Sequence, residues 1–129
     1  MPIDVPARVI ANRRLSGDYN VLHTDAEYMK GSIFGERIAH GLLGLSISSG
    51  LGTRAVPRPF ATIAFLGLRW RFKGPIKIGD TIKVRLKVMA KKETSKPDRG
   101  VVTVQRAVLN QRGEVVQEGD TDLMISRRK

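Results

Sequence analysis

Gly41-Leu42-Leu43-Gly44-Leu45-Ser46-Ile47-Ser48-Ser49-Gly50-Leu51 is the stretch on which the fold turns. It holds no charge and no proline, and its apolar residues are set among glycine and serine. Leu42 with Leu45, and Leu43 with Ile47, supply bulky contacts at helical spacing, so the stretch reads as a helix surrounded by protein. Gly44 and Gly50 each cost about 1 kcal/mol relative to alanine inside a helix, and packing must offset that. Small side chains permit a sheet to approach closely.

Beyond this helix, Gly52–Phe60 reads as a connector containing Pro57 and Pro59, and the period then changes to two. Thr62 to Phe72 predicts one strand, Lys73-Gly74-Pro75 a turn, and Gly79-Asp80 the entry to the next strand. Thr81 to about Lys92 reads as a period-2 strand, and within Thr81–Val88 the cations Lys83, Arg85 and Lys87 occupy one face. Lys96-Pro97-Asp98-Arg99-Gly100 has hairpin-loop chemistry. Val101 to Leu109 and Glu114 to Ser126 are two more strands, joined by a tight turn at Asn110-Gln111-Arg112-Gly113. An uncharged helix followed by a meander of long antiparallel strands predicts an α+β hot-dog fold. Its long curved sheet wraps one central helix and buries it on all sides.

On the N-terminal side, Asp4 reads as the cap of a short helix running to about Arg14. Asp25 reads as the N-cap of a helix over Ala26 to Lys30, ended by Gly31 and Ser32, with Ile33 to Ala39 as connector. Between them lies Leu15-Ser16-Gly17-Asp18-Tyr19-Asn20-Val21-Leu22-His23. On one helix, residues five apart point about 140° away from each other. Gly17 and Asn20 favour turn geometry, including positive φ, so a loop can fold Asp18 and His23 toward one point. A carboxylate and an imidazole facing one water form a proton-transfer site.

Composition bounds the rest. A chain of 129 residues predicts a single domain over residues 1–129, with one core. The absence of cysteine excludes disulfides, thiolate nucleophiles and cysteine zinc sites, and fits a reducing compartment. Two histidines, His23 and His40, argue against a multi-histidine metal site. The first residues lack a signal peptide's basic and apolar regions, and the longest uncharged run, Ile38 to Thr53, is too short for a bilayer. The expectation is a soluble cytoplasmic protein with no membrane partner. The net charge of +11 reads as a solvated surface, as attraction for a phosphate-bearing small molecule, or as nucleic-acid binding. The low aromatic content of 5% argues against nucleic acid.

Ser16-Gly17-Asp18-Tyr19-Asn20-Val21-Leu22-His23 is similar to the hydratase motif of the MaoC-like dehydratases, the family that contains the (R)-specific enoyl-CoA hydratases. The resemblance continues through Asp25-Ala26-Glu27-Tyr28 and Phe34-Gly35-Glu36-Arg37-Ile38-Ala39-His40-Gly41. It extends to Arg71–Ile82 and to Asn110-Gln111-Arg112-Gly113-Glu114, nearly the whole chain. Two departures stand out: valine at position 21 where the family usually has proline, and a start later than the family's extra first strand.

The resemblance implies that Asp18 and His23 hold a water beside C3 of a trans-2-enoyl thioester. Water adds to give a 3-hydroxyacyl thioester, and dehydration is the reverse. It implies that the backbone N–H of Gly41 faces the enolate-like oxygen, with Asn20 bracing the loop and His40 in a supporting role. It implies no cofactor or metal, an acyl-CoA or acyl-carrier-protein substrate, and at least a homodimer. Tyr19 and Phe34 are candidates for the acyl pocket or the core, and Arg54, Arg58, Arg69 and Lys73 for the flanks of a CoA entrance. An acyl-CoA thioesterase and a non-catalytic acyl-CoA-binding or regulatory protein on the same fold remain open at this point.

Overall fold

The computed structural model describes residues 5–54 and 61–127. Asp4, Pro57, Arg58, Pro59 and Phe60, which figure in the expectations above, lie outside the described residues. The first helix, α1 (Val5–Ser16), takes in Leu15 and Ser16. Gly17 then breaks it at φ +77°, in the left-handed conformation that glycine adopts without strain, and its N–H returns to Arg13 O at 2.8 Å.

The stretch from Leu15 to His23 is therefore not wholly a loop. Only residues 17–20 are non-helical, because Val21–Thr24 close one helical turn, α2. Asn20 does not take positive φ either. It lies at φ −53° and ψ 142° and caps α2, its Oδ1 accepting the Leu22 N–H at 3.1 Å. Val21 occupies the first helical position, where a proline is also welcome. The next helix, α3 (Ala26–Lys30), has the expected bounds, with Asp25 Oδ1 accepting from Tyr28 N at 3.0 Å and Gly31 at its end.

The central helix, α4 (Gly41–Arg54), extends beyond Leu51, so Gly52, Thr53 and Arg54 belong to it and not to the connector. Thr53 Oγ1 donates back to Gly50 O at 2.7 Å, and Arg54 suits the negative end of the helix dipole. The strands are β1 (Thr62–Phe72), β2 (Lys83–Glu93), β3 (Arg99–Leu109) and β4 (Val115–Ser126). All neighbouring pairs are antiparallel, in the order β1-β4-β3-β2.

That order corrects the simple meander. Only β2, β3 and β4 follow one another; β1 pairs with β4 across the sheet. The cause lies in the segment from Lys73 to Ile82, which is too long for a hairpin and buries Ile76 and Ile82 in the core. It is tied to the residues before α4 by Ala39 N–H to Ile76 O at 2.8 Å and by a bridge between Ile38 and Lys77. Bulges in β1 and at Val88/Ala90 in β2 bend the sheet around α4 and produce the hot-dog arrangement.

The helix meets the sheet through Gly44, Ser48 and Gly52, which share one face at spacings of four and are buried. Leu43, Ile47 and Leu51 pack beside them against Val9, Ala39, Ile76, Ile82, Val108 and Val116. The expectation of a helix enclosed on every side does not hold within one chain. Leu42 is 70% exposed, and Ser46, Ser49 and Gly50 face outward, because four strands cover one side only. Among the described residues no helix is long and apolar enough to cross a membrane.

Candidate active site

The ends of α1 and α2 and the start of α4 converge on Asp18, His23 and His40. Asp18 sits on the turn after Gly17, its N–H donating to Ser16 Oγ at 3.2 Å and its Oδ1 accepting from Asn20 N at 3.2 Å. The carboxylate thus serves its own turn and still leaves Oδ2 available. His23 is buried on α2, with Nδ1 2.8 Å from Ile38 O. A carbonyl can only accept, so Nδ1 carries the hydrogen and the neutral ring keeps its lone pair on Nε2. That nitrogen lies 3.9 Å from Asp18 Oδ2. The gap is too long for a hydrogen bond, so two acceptors face each other across it, each within reach of a water placed between them.

His40 is the N-cap residue of α4, its carbonyl accepting from Leu43 N at 3.1 Å and Gly44 N at 3.3 Å. Its side chain is buried, with Nε2 3.0 Å from the Asp18 main-chain oxygen and 4.0 Å from Oδ2. The His23 and His40 rings stack with centroids 3.8 Å apart and planes inclined by 27°. One ligand atom from each of Asp18, His23 and His40 falls within 4.8 Å of the others, a spacing seen in cation sites. Yet His40 Nε2 is committed to a carbonyl, which leaves one imidazole nitrogen and one carboxylate oxygen. An imidazole nitrogen and a carboxylate oxygen so placed can exchange a proton with a molecule held between them.

Gly41 opens α4, where the first N–H groups have no acceptor within the helix and the dipole is positive. A hydrogen-bond relay fixes this end: Trp70 Nε1 donates to Gln117 Oε1 at 3.0 Å, and Gln117 Nε2 donates to Gly41 O at 3.0 Å. The Phe72 ring lies so close that a Cβ at position 41 would stand 2.8 Å from it. Any larger residue here would have to displace the Phe72 ring.

Three contributors were not evident from residue type alone: the Ile38 carbonyl, Gln117 and Phe72. Gln117 carried a signal, since it is a polar residue at an inward position of β4, opposite Val108, and it is 1% exposed. Of the other candidates, Tyr19 lies exposed under the Arg13 guanidinium at 5.8 Å, and Phe34 is half-buried. Arg69 pairs with Asp120 and Asp122, and Lys73 with Glu118, across β1 and β4. Arg54 lines a groove of about 410 Å³ between α1 and α4, together with Leu15, Leu43, Ile47, Leu51 and Arg8.

A sequence model of the MaoC-like domain matches residues 2–110. The chain belongs to the MaoC-like domain family. It is 36% identical over 115 residues to an (R)-specific enoyl-CoA hydratase of Rhodospirillum rubrum, a span of 88% of this chain and 74% of that protein. It is 31% identical over 114 residues to an (R)-specific enoyl-CoA hydratase of Aeromonas caviae, covering 88% and 81% respectively. Among solved structures, a monoamine oxidase regulatory protein from Archaeoglobus fulgius superposes with a TM-score of 0.90 at 35% identity, over 100% of this chain and 87% of that one.

Proposed function

We propose that this MaoC-like protein is a lyase that hydrates trans-2-enoyl-CoA to (R)-3-hydroxyacyl-CoA, or catalyses the reverse dehydration, with Asp18 and His23 as its acid–base pair. The observation that carries the reading is the 3.9 Å gap between Asp18 Oδ2 and His23 Nε2, two acceptors that face each other within reach of one water. The hydratase names of its relatives support the reaction class.

In hydration the water oxygen bonds to C3 as one of its protons passes to the pair, and the pair returns one proton to C2. His23 Nε2 suits the first step, because its Nδ1–H is anchored on Ile38 O and the ring enters with its lone pair toward the gap. As the C2–C3 double bond opens, charge grows on the thioester oxygen. The Gly41 N–H is the donor for it, held by the relay through Gln117 and Trp70. A fixed donor of this kind contributes on the order of 3 kcal/mol to the transition state. In this reading the groove between α1 and α4, lined by Leu15, Leu43, Ile47 and Leu51, takes the acyl chain.

The chain works as a homodimer in this reading. Strand β1 is a sheet edge that leaves Ile63, Phe65, Leu66 and Leu68 exposed, a surface suited to a second copy, while the other edge strand, β2, carries Lys83, Arg85 and Lys87. Sedimentation of the wild-type protein should give at least twice the 14.3 kDa chain mass. A monomer at micromolar concentration would reject the assembly.

The chemistry is tested with a panel of trans-2-enoyl-CoAs against wild type, Asp18→Asn and His23→Ala. Loss of the enoyl-thioester absorbance without thiol release is expected for wild type. Each variant should lose ~10²-fold or more in kcat while remaining folded. Thiol release would point to thioester hydrolysis, tight binding without turnover to a non-catalytic role, and full activity in either variant would remove that residue from the mechanism.

A further inference from the structure

We infer that His40 is a positioning residue for the reaction proposed above, on which this inference rests, and that it acts by anchoring the Asp18 turn to the body of the protein. The turn itself is poorly tied. Apart from His40, the hydrogen bonds of residues 17–20 reach only residues 13–24 of the same excursion, among the described residues. The bond from His40 Nε2 to Asp18 O, spanning 22 positions, is the one that crosses to α4. It joins the main chain of the acid to the residue that caps the helix bearing the Gly41 N–H.

The chemistry of the ring excludes a direct part in proton transfer. Because Nε2–H is donated to a carbonyl, the neutral ring keeps its lone pair on Nδ1, which is buried and has no hydrogen-bond partner among the described residues. What the ring adds is a flat face against His23, at 3.8 Å between centroids. One side chain therefore holds the main chain of the carboxylate and the plane of the imidazole together. Displacing a reacting group by about 1 Å can cost on the order of 10²-fold in rate, and a carboxylate 51% exposed on a short turn is free to move that far.

The test separates the two contacts. His40→Phe keeps the aromatic face and loses the donor; His40→Gln keeps a donor and loses the face. With trans-2-butenoyl-CoA as substrate, His40→Phe should lose 10- to 100-fold in kcat with KM within about 3-fold of wild type. His40→Gln should recover kcat to within about 5-fold of wild type. On an Asp18→Asn background the phenylalanine change should cost less than 3-fold more, because the group it positions is already gone. Wild-type kcat in His40→Phe would overturn the inference. So would glutamine performing no better than phenylalanine, or an undiminished loss on the Asp18→Asn background. His40→Ala carries the same comparison if the phenylalanine variant does not fold. Full activity in Asp18→Asn alone would instead sink the acid–base reading, leaving no positioned group to discuss.

Discussion

The two faces of α4 use the same residue type for opposite ends. Toward the sheet, Gly44 has no room for a methyl group: a Cβ there would stand 2.5 Å from Gln117 Nε2 and 2.7 Å from Ile76 Cδ1. Gly52 is equally close to the Arg106 guanidinium, which reaches inward from β3, donates through Nε to Thr121 Oγ1 at 3.0 Å, and has its pKa lowered by desolvation. Toward solvent, Gly50 has nothing within 4 Å of where its Cβ would be among the described residues. On one face glycine sets the distance between helix and sheet; on the other it only weakens the helix. The difference shows that the polar relay under the N-terminal half of α4 sets how closely helix and sheet approach.

Breaking that relay should have the larger effect. Gly44→Ala gains about 1 kcal/mol of helix propensity but forces an extra carbon into a filled space, at about 1–3 kcal/mol. The sign depends on whether the neighbour can give way. Gln117 cannot do so freely, since its amide is held at both ends by Trp70 and Gly41. The expected net loss is up to about 2 kcal/mol, a fall in Tm of up to roughly 8 °C for a domain of this size. Because Gln117 must shift off the Gly41 carbonyl, kcat on enoyl-CoA should fall as well. Thermal unfolding with matched kinetics checks both, and an unchanged or raised Tm would show the contact to be slack.

How much of this was open to reading from residues alone follows from range. Local rules reached α3 to the residue, because Asp25 and Gly31 cap it through bonds to neighbours. The four strands were legible from alternation and turn chemistry, within two residues at most ends. Strand order was not, because the Lys73–Ile82 segment is placed by contacts with Ile38 and Ala39, far off in sequence. At the site, the spacing of Asp18 and His23 was visible, and the structure brings both to one gap. The helical turn under His23 was hidden because Gly17 and Asn20 both signal turns, and only the fold shows that one ends a helix and the other begins one. The Ile38 carbonyl that sets the His23 tautomer has no side-chain signature at all.

The outward face offers the smaller and sharper test. Gly50→Ala adds a methyl group to an exposed helical position with open space around it, so helix propensity should dominate. The expected gain is about 0.5–1 kcal/mol, a rise in Tm of a few degrees. Activity should be unchanged if α4 is bare on this side in solution. Gly50 also lines the groove between α1 and α4 that the proposed mechanism gives to the acyl chain. If that assignment holds, the methyl group narrows the groove, so long-chain enoyl-CoAs should show a raised KM while trans-2-butenoyl-CoA does not. A Tm gain with an unaltered chain-length profile would place the acyl chain elsewhere. A loss of stability would mean that the outward face is covered by a second copy, as closely as the sheet covers the other.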